Sequence, residues 1–247
     1  MRLHRTSAAA AALLLPLAAC GGTGTGTVSD ERTFPLEGTR LVIDAPSAEL
    51  QVVAGNGPGV RVRRWLSGTA AEDGNSSWTL GGDTLRLRVD CSGLVLDCGH
   101  RFRVAVPPGA AAVVRSGDGN GTVTGLSAAV TIDNGSGDIA VRDVSGPLTV
   151  STRSGDVTAS GIRSRTVRAT SGEGNVTVGF AAAPRLVDVA SRTGNITARI
   201  PAAGHAYRIS VTSGTGTVRS LVRSDGRSGD LVRLVSREGD VTVSPAP

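Results

Sequence analysis

Residues 148–159, LTVSTRSGDVTA, decide the fold. Leu148 and Val150 alternate with polar residues, Gly155-Asp156 breaks the run, and Val157 and Ala159 resume the alternation. A spacing of two on both sides of a glycine describes two short strands joined at a tight corner. The phrase recurs. Gly followed by Asp, Asn or Thr and then Val or Ile stands at Gly121-Thr122-Val123, Gly137-Asp138-Ile139, Gly155-Asp156-Val157, Gly174-Asn175-Val176, Gly194-Asn195-Ile196, Gly216-Thr217-Val218 and Gly239-Asp240-Val241. Successive glycines are 16, 18, 19, 20, 22 and 23 residues apart, so the unit is near twenty residues and elastic, with insertions expected in loops.

Counting from each motif's Val or Ile tests the periodicity. Nine residues earlier stand Val130, Leu148, Val167, Val187, Ile209 and Val232, and seven earlier stand Ile132, Val150, Ala169, Val189, Val211 and Leu234. Only the first copy breaks these columns, with Val114 and Ser116. The strands follow one another too closely for helices to intervene, and the corners lack the two-residue connections of a hairpin ladder. Stacking the units in parallel instead sets each inward aliphatic residue over its counterpart, about 4.8 Å away. The expected fold is all-β, a single-stranded parallel β-helix-like solenoid over residues 114–245. One unit buries too few side chains to offset the ordering of its backbone, so neighbouring units must complete one another.

Composition agrees with a core of small side chains. Hydrophobic residues make up 39% of the 247 residues, but there are only three Phe, two Trp and one Tyr, against 34 Gly. Residues 34–113 read as a β-rich N-terminal cap or irregular first coils, with short runs such as Leu41-Val42-Ile43 and Leu85-Arg86-Leu87 between Gly, Pro and Asn signals. Trp65 and Trp78 are expected in the core or its lid, with ligand contact as the alternative.

The units STRSGDVTA, TSGEGNVTV, SRTGNITARIP, TSGTGTV and SREGDVTV, preceded by FRVAVPPGA, resemble the putative-adhesin family of bacterial envelope proteins. The resemblance runs over roughly residues 34–245. It implies a β-helix-like fold and supplies no catalytic residues.

The opening MRLHRTSAAAAALLLPLAAC has a basic start, a short apolar run and small residues before a cysteine, the layout of an export signal over residues 1–19. Leu17-Ala18-Ala19-Cys20 resembles the bacterial lipobox, which implies that Cys20 becomes a lipidated N-terminus. Residues 20–33, beginning with GGTGTGT after the cysteine, read as a flexible tether. The expected location is the extracytoplasmic face of the bacterial cell membrane, held there by lipid. The two remaining cysteines, Cys91 and Cys98, enclose a short loop and are expected to form a disulfide in that oxidising compartment. A metal site using His100 is the alternative, and no metal or cofactor is expected.

All 26 basic residues are Arg, and the net charge is +5. Removing Arg2 and Arg5 with the leader leaves 24 Arg against 21 acids, a mild excess of three that does not indicate nucleic acid. The aromatic interleaving that single-stranded nucleic acid requires is absent from the densest basic stretch, between residues 163 and 223. The densest basic stretch contains Arg163, Arg165, Arg168, Arg185, Arg192, Arg199, Arg208 and Arg219 and is the candidate surface for an anionic cell-wall polymer or another envelope protein. Asp138, Asp156 and Asp240 recur at corners, and Asn175 and Asn195 take the same place, as a turn permits and a catalytic carboxylate does not. The sequence therefore points to a non-enzymatic, membrane-anchored binding or structural module. A solenoid carbohydrate-active enzyme and an envelope-sensing or assembly partner are the alternatives.

Overall fold

The computed structural model describes residues 26–91 and 97–247. The leader and Cys20 lie outside the described residues. The N-terminal part contains β1 (Val28–Pro35), β2 (Arg40–Ser47), β3 (Glu49–Ala54), β4 (Gly59–Leu66), β5 (Ser76–Gly81), β6 (Thr84–Val89) and β7 (His100–Val106). Seven strand pairs follow: β8 (Ala111–Asp118) with β9 (Gly121–Thr124), β10 (Val130–Ser136) with β11 (Ile139–Arg142), β12 (Leu148–Ser154) with β13 (Val157–Ile162), and β14 (Thr166–Glu173) with β15 (Val176–Phe180). The last three are β16 (Leu186–Thr193) with β17 (Ile196–Ile200), β18 (Arg208–Thr215) with β19 (Val218–Ser220), and β20 (Leu231–Glu238) with β21 (Val241–Pro245).

Each pair is one coil of a parallel solenoid. The first strand of a coil lies in one sheet, the chain turns at the glycine corner, and the second strand lies in the other sheet. Sheet 1 has eleven strands in the order β1-β4-β7-β3-β9-β11-β13-β15-β17-β21-β19, and sheet 2 has ten in the order β18-β20-β16-β14-β12-β10-β8-β2-β6-β5. Successive residues alternate between the outside and the core, so residues two apart share a face and aliphatic columns run lengthwise between the sheets. One column is Val130, Leu148, Val167, Val187 and Val232, all at most 1% exposed. Antiparallel pairing is confined to the N-terminal end, at β1–β4, β4–β7 and β5–β6.

Coil order in space differs from coil order in sequence at both ends. The coil β2–β3 stacks directly on β8–β9, while β6 and β7, later in the chain, pair with its far side. At the other end the last coil, β20–β21, inserts between β16–β17 and β18–β19. The β18–β19 coil is the outermost, and its core positions are open: Val218 is 46% exposed, and Leu221 beyond it is 58% exposed.

The break in the first repeat is also resolved. In the ladder Gly121 stands opposite Ile139, so the first corner is Gly119-Asn120 and not Gly121-Thr122-Val123. Counting from Gly121 puts Ala112 and Val114 in the two columns, and both are buried. The missing side chain at Gly121 leaves a small void among Leu50, Val114, Ile132 and Ile139.

Corner chemistry holds the stack. The amide N–H of Asp138 donates to Asn120 Oδ1 at 2.9 Å, that of Asp156 to Asp138 Oδ1 at 2.9 Å, and that of Asn175 to Asp156 Oδ1 at 2.7 Å. The ladder continues from the Asn195 amide to Asn175 Oδ1, from Asp240 to Asn195 Oδ1, and from Thr217 to Asp240 Oδ1. It follows spatial order, with Asp240 between Asn195 and Thr217, so it also pins the inserted coil. Asp and Asn interchange here because only a short side chain carrying an acceptor oxygen is needed. The preceding glycines stack as closely: a Cβ on Gly155, whose φ is +122°, would lie 2.2 Å from the carbonyl oxygen of Gly137. Buried hydroxyls of Ser171, Ser191 and Ser236, and the half-buried one of Ser213, donate to corner glycine carbonyls, so these polar groups are satisfied.

Candidate functional site

The corner carboxylates are occupied structurally, so candidate binding chemistry lies on the outward positions of the two sheets. On sheet 2 one outward row combines the residues four positions before each corner's Val or Ile. It reads Gly135, Arg153, Gly172, Arg192 and Arg237 in spatial order, because β20 lies beside β16. Arg153, Arg192 and Arg237 line an open groove of about 460 Å³ together with the outward Thr170, Ala190 and Val235. Gly172 lets the groove cross the row: a Cβ there would lie 3.1 Å from the Arg192 guanidinium. Arg192 and Arg237 occupy neighbouring strands, about 4.8 Å apart along the ladder, and Arg153 is two strands from Arg192. The described residues provide no ion pair for any of the three. Three guanidiniums without an ion pair can hold a phosphate or carboxylate through charge-assisted bonds.

The arginines read from the sequence are dispersed. Arg163 pairs with Asp143 at 3.6 Å on a connector, and Arg165 and Arg185 lie on neighbouring connectors. Arg168 sits outward on sheet 2, in register with Asp188, and Arg199 and Arg219 sit on sheet 1. Arg208 opens the outermost strand, β18. Of the eight, only Arg192 belongs to the groove. Density along the chain does not single out Arg153 and Arg237, whereas alignment of the repeats four residues before the Val or Ile places all three arginines in one column.

Cys91 and Cys98 are joined in a disulfide with a Cα–Cα distance of 6.2 Å. Although Cys91, Cys98 and His100 cluster closely enough for a metal, the bond takes both thiolates that zinc would need. His100 Nε2 and Nδ1 lie 2.6 and 3.0 Å from the carbonyl oxygens of Ser47 and Cys98. The two tryptophans diverge. Trp78 packs against the core, edge-on to Phe34 at 6.3 Å, whereas Trp65 stands half-exposed on the outer side of sheet 1. Among the described residues no helix is long and apolar enough to cross a membrane.

Residues 109–219 match the Toastrack DUF4097 family, a span running from β8 to β19. That span is similar to a Toastrack domain. The match bears out the family resemblance drawn from the repeats, over a shorter span than residues 34–245. Solved structures are also similar to the chain. A putative adhesin from Bacteroides fragilis is 13% identical, with 91% of this chain and 100% of that one covered at a TM-score of 0.47. A putative cell adhesion protein from Clostridium sporogenes is 9% identical, covering 89% and 100% at a TM-score of 0.41. A putative lipid binding protein from Parabacteroides distasonis is 10% identical, covering 90% and 98% at a TM-score of 0.40. No curated protein matches the chain in sequence.

Proposed function

We propose that this protein is a lipid-anchored, extracytoplasmic, adhesin-like binding module that holds an anionic polymer of the cell envelope on the outer face of sheet 2. The observation that carries this reading is the groove of Arg153, Arg192 and Arg237, which concentrates three positive charges without neutralising acids. The lipobox-like sequence ending at Cys20 supports the anchor, and the Cys91–Cys98 disulfide fits an oxidising compartment. A carbohydrate-active enzyme would need two carboxylates flanking the bound sugar, about 5 to 10 Å apart. The groove is lined instead by arginines, hydroxyl-bearing side chains, Gly172 and small aliphatic residues.

The test is retention of the protein on purified anionic cell-wall material across a salt series. Retention is expected to fall as salt rises, and R153Q/R192Q/R237Q to lose it, while R163Q/R165Q retains it. Salt-independent retention, or a triple variant that binds like the wild type, would overturn the proposal. Loss of the high-salt membrane fraction in Cys20→Ser checks the anchor separately.

A further inference from the structure

Sheet 1 presents a different chemistry from sheet 2. From β9 to β21 and on to β19, its outward positions carry Thr, Ser, Ala and Gly, together with Arg142, Arg199 and Arg219, and no carboxylate. Sheet 2 is mixed in sign, with Asp44, Asp133 and Asp188 facing outward among its arginines. At the N-terminal end of sheet 1, Arg61, Arg63 and Arg103 gather around Trp65. Arg63 lies opposite Arg103 in the β4–β7 ladder, and its guanidinium stands 5.0 Å from the Trp65 ring. These four residues line a hollow of about 190 Å³ with Val53, Ala105 and Glu31. Glu31, opposite Arg63 on β1, is the one carboxylate lining it, and neighbouring Arg101 is already engaged by Glu49 at 3.0 Å. The hollow thus keeps a net positive charge beside a half-exposed indole.

Trp combines an apolar body with a polar N–H and settles at headgroup depth, while arginines there bind phosphate oxygens. The course of the chain places such a surface within reach. Thr27 lines an adjoining hollow with Trp65 and Arg101. Seven residues lead from Cys20 to Thr27, a reach of at most about 25 Å even when fully extended. A lipid on Cys20 would therefore hold the Trp65 corner close to the headgroup layer.

We infer that the outer face of sheet 1, led by Trp65, Arg61, Arg63 and Arg103, docks on anionic lipid headgroups of the anchoring membrane. The solenoid then lies in one orientation, with the sheet 2 groove turned away from the bilayer. The inference rests on the anchor proposed above for proximity, but the chemistry of the face can be measured without it.

The experiment uses the mature chain, residues 20–247, with Cys20→Ser, so that no acyl chain masks the contact. It is mixed with phosphatidylcholine vesicles with and without phosphatidylglycerol, and binding is read by sedimentation and by quenching of tryptophan by brominated lipid. The protein is expected to partition onto the phosphatidylglycerol vesicles and to leave them in high salt. Quenching should persist in Trp78→Phe and vanish in Trp65→Phe. Each Arg→Gln change at 61, 63 or 103 should weaken partitioning about fivefold, and the triple variant about a hundredfold. R86Q/R115Q/R227Q removes the same charge elsewhere and should partition like the parent. Unquenched Trp65 on phosphatidylglycerol vesicles overturns the inference, as does equal weakening in the two triple variants. Shielding of Trp65 by wall polymer but not by vesicles would make the face a polymer site and overturn it too. Membrane flotation of the wild-type lipidated protein in high salt, which releases the headgroup contact but not an acyl chain, reports on the anchor alone, so the two failures can be told apart.

Discussion

Gly155→Ala isolates the feature that lets the coils approach so closely. Two costs add at this position. The backbone φ of +122° is one that L side chains rarely adopt, and forcing a Cβ into positive φ costs about 1–2 kcal/mol. The new Cβ would also lie 2.2 Å from the Gly137 carbonyl oxygen, itself part of a neighbouring coil's backbone. Relief requires the coils to part locally, weakening the bond from the Gly137 amide to the Ser154 carbonyl at 3.1 Å and that from the Asp156 amide to Asp138 Oδ1 at 2.9 Å. At about 1 kcal/mol for each hydrogen bond, the expected loss is about 3–4 kcal/mol, a large part of the usual stability of a domain. Urea unfolding midpoints measure it, with two glycines as references. Gly204 has a φ of +72° but nothing within 4 Å of an added Cβ, so Gly204→Ala should show the conformational cost alone. Gly121 has no positive φ, and its Cβ would meet only the tip of Ile139 at 2.9 Å beside a small void, so Gly121→Ala should change stability by less than about 1 kcal/mol. If Gly155→Ala shifts the midpoint no more than Gly204→Ala, the close stacking of corners is not what demands glycine.

The corner ladder predicts that Asp156→Asn keeps full stability whereas Asp156→Ala loses about 1 kcal/mol, since the Asn175 amide loses its acceptor; the same urea series reads both. Leu234→Ala should cost about 2–5 kcal/mol, because β20 is an interior rung, whereas Val211→Ala on the outermost strand should cost far less although it lies earlier in the chain. Hydrogen exchange should likewise be slower in β20 than in β18, and the reverse order would contradict the inserted coil. Burial, and then the Asp230 carboxylate, raise the Tyr207 hydroxyl above its ordinary pKa of 10.0. The neutral phenol donates to the Pro201 carbonyl at 2.7 Å, and the folded state holds that proton more tightly than the unfolded chain does. This contribution is complete below pH 10 and is lost as pH rises from 10 through the folded value, so unfolding midpoints should drop there and Tyr207→Phe should flatten the drop.

Much of this molecule is local chemistry and could be read in one dimension. A period of two on either side of a glycine settles which residues face inward, because a pleated strand alternates its side chains whatever surrounds it. The exchange of Asp for Asn at corners likewise follows from the need for a short side chain with an acceptor oxygen. Other features depended on which strand lies beside which. The first corner was read two residues late because Gly121 occupies a column that elsewhere holds Val or Ile, and only pairing with Ile139 reveals its place. The insertion of β20–β21 inside β18–β19 leaves no local trace, since both coils carry the same motif and either could occupy the interior. That choice brings Arg237 alongside Arg192 and, with Arg153, builds the groove on sheet 2, while sheet 1 gathers Trp65 with arginines from two strands. Periodicity specifies the rung because it reflects the backbone of one strand; the order of rungs, and hence the charged surfaces, is decided by contacts between residues far apart in the chain.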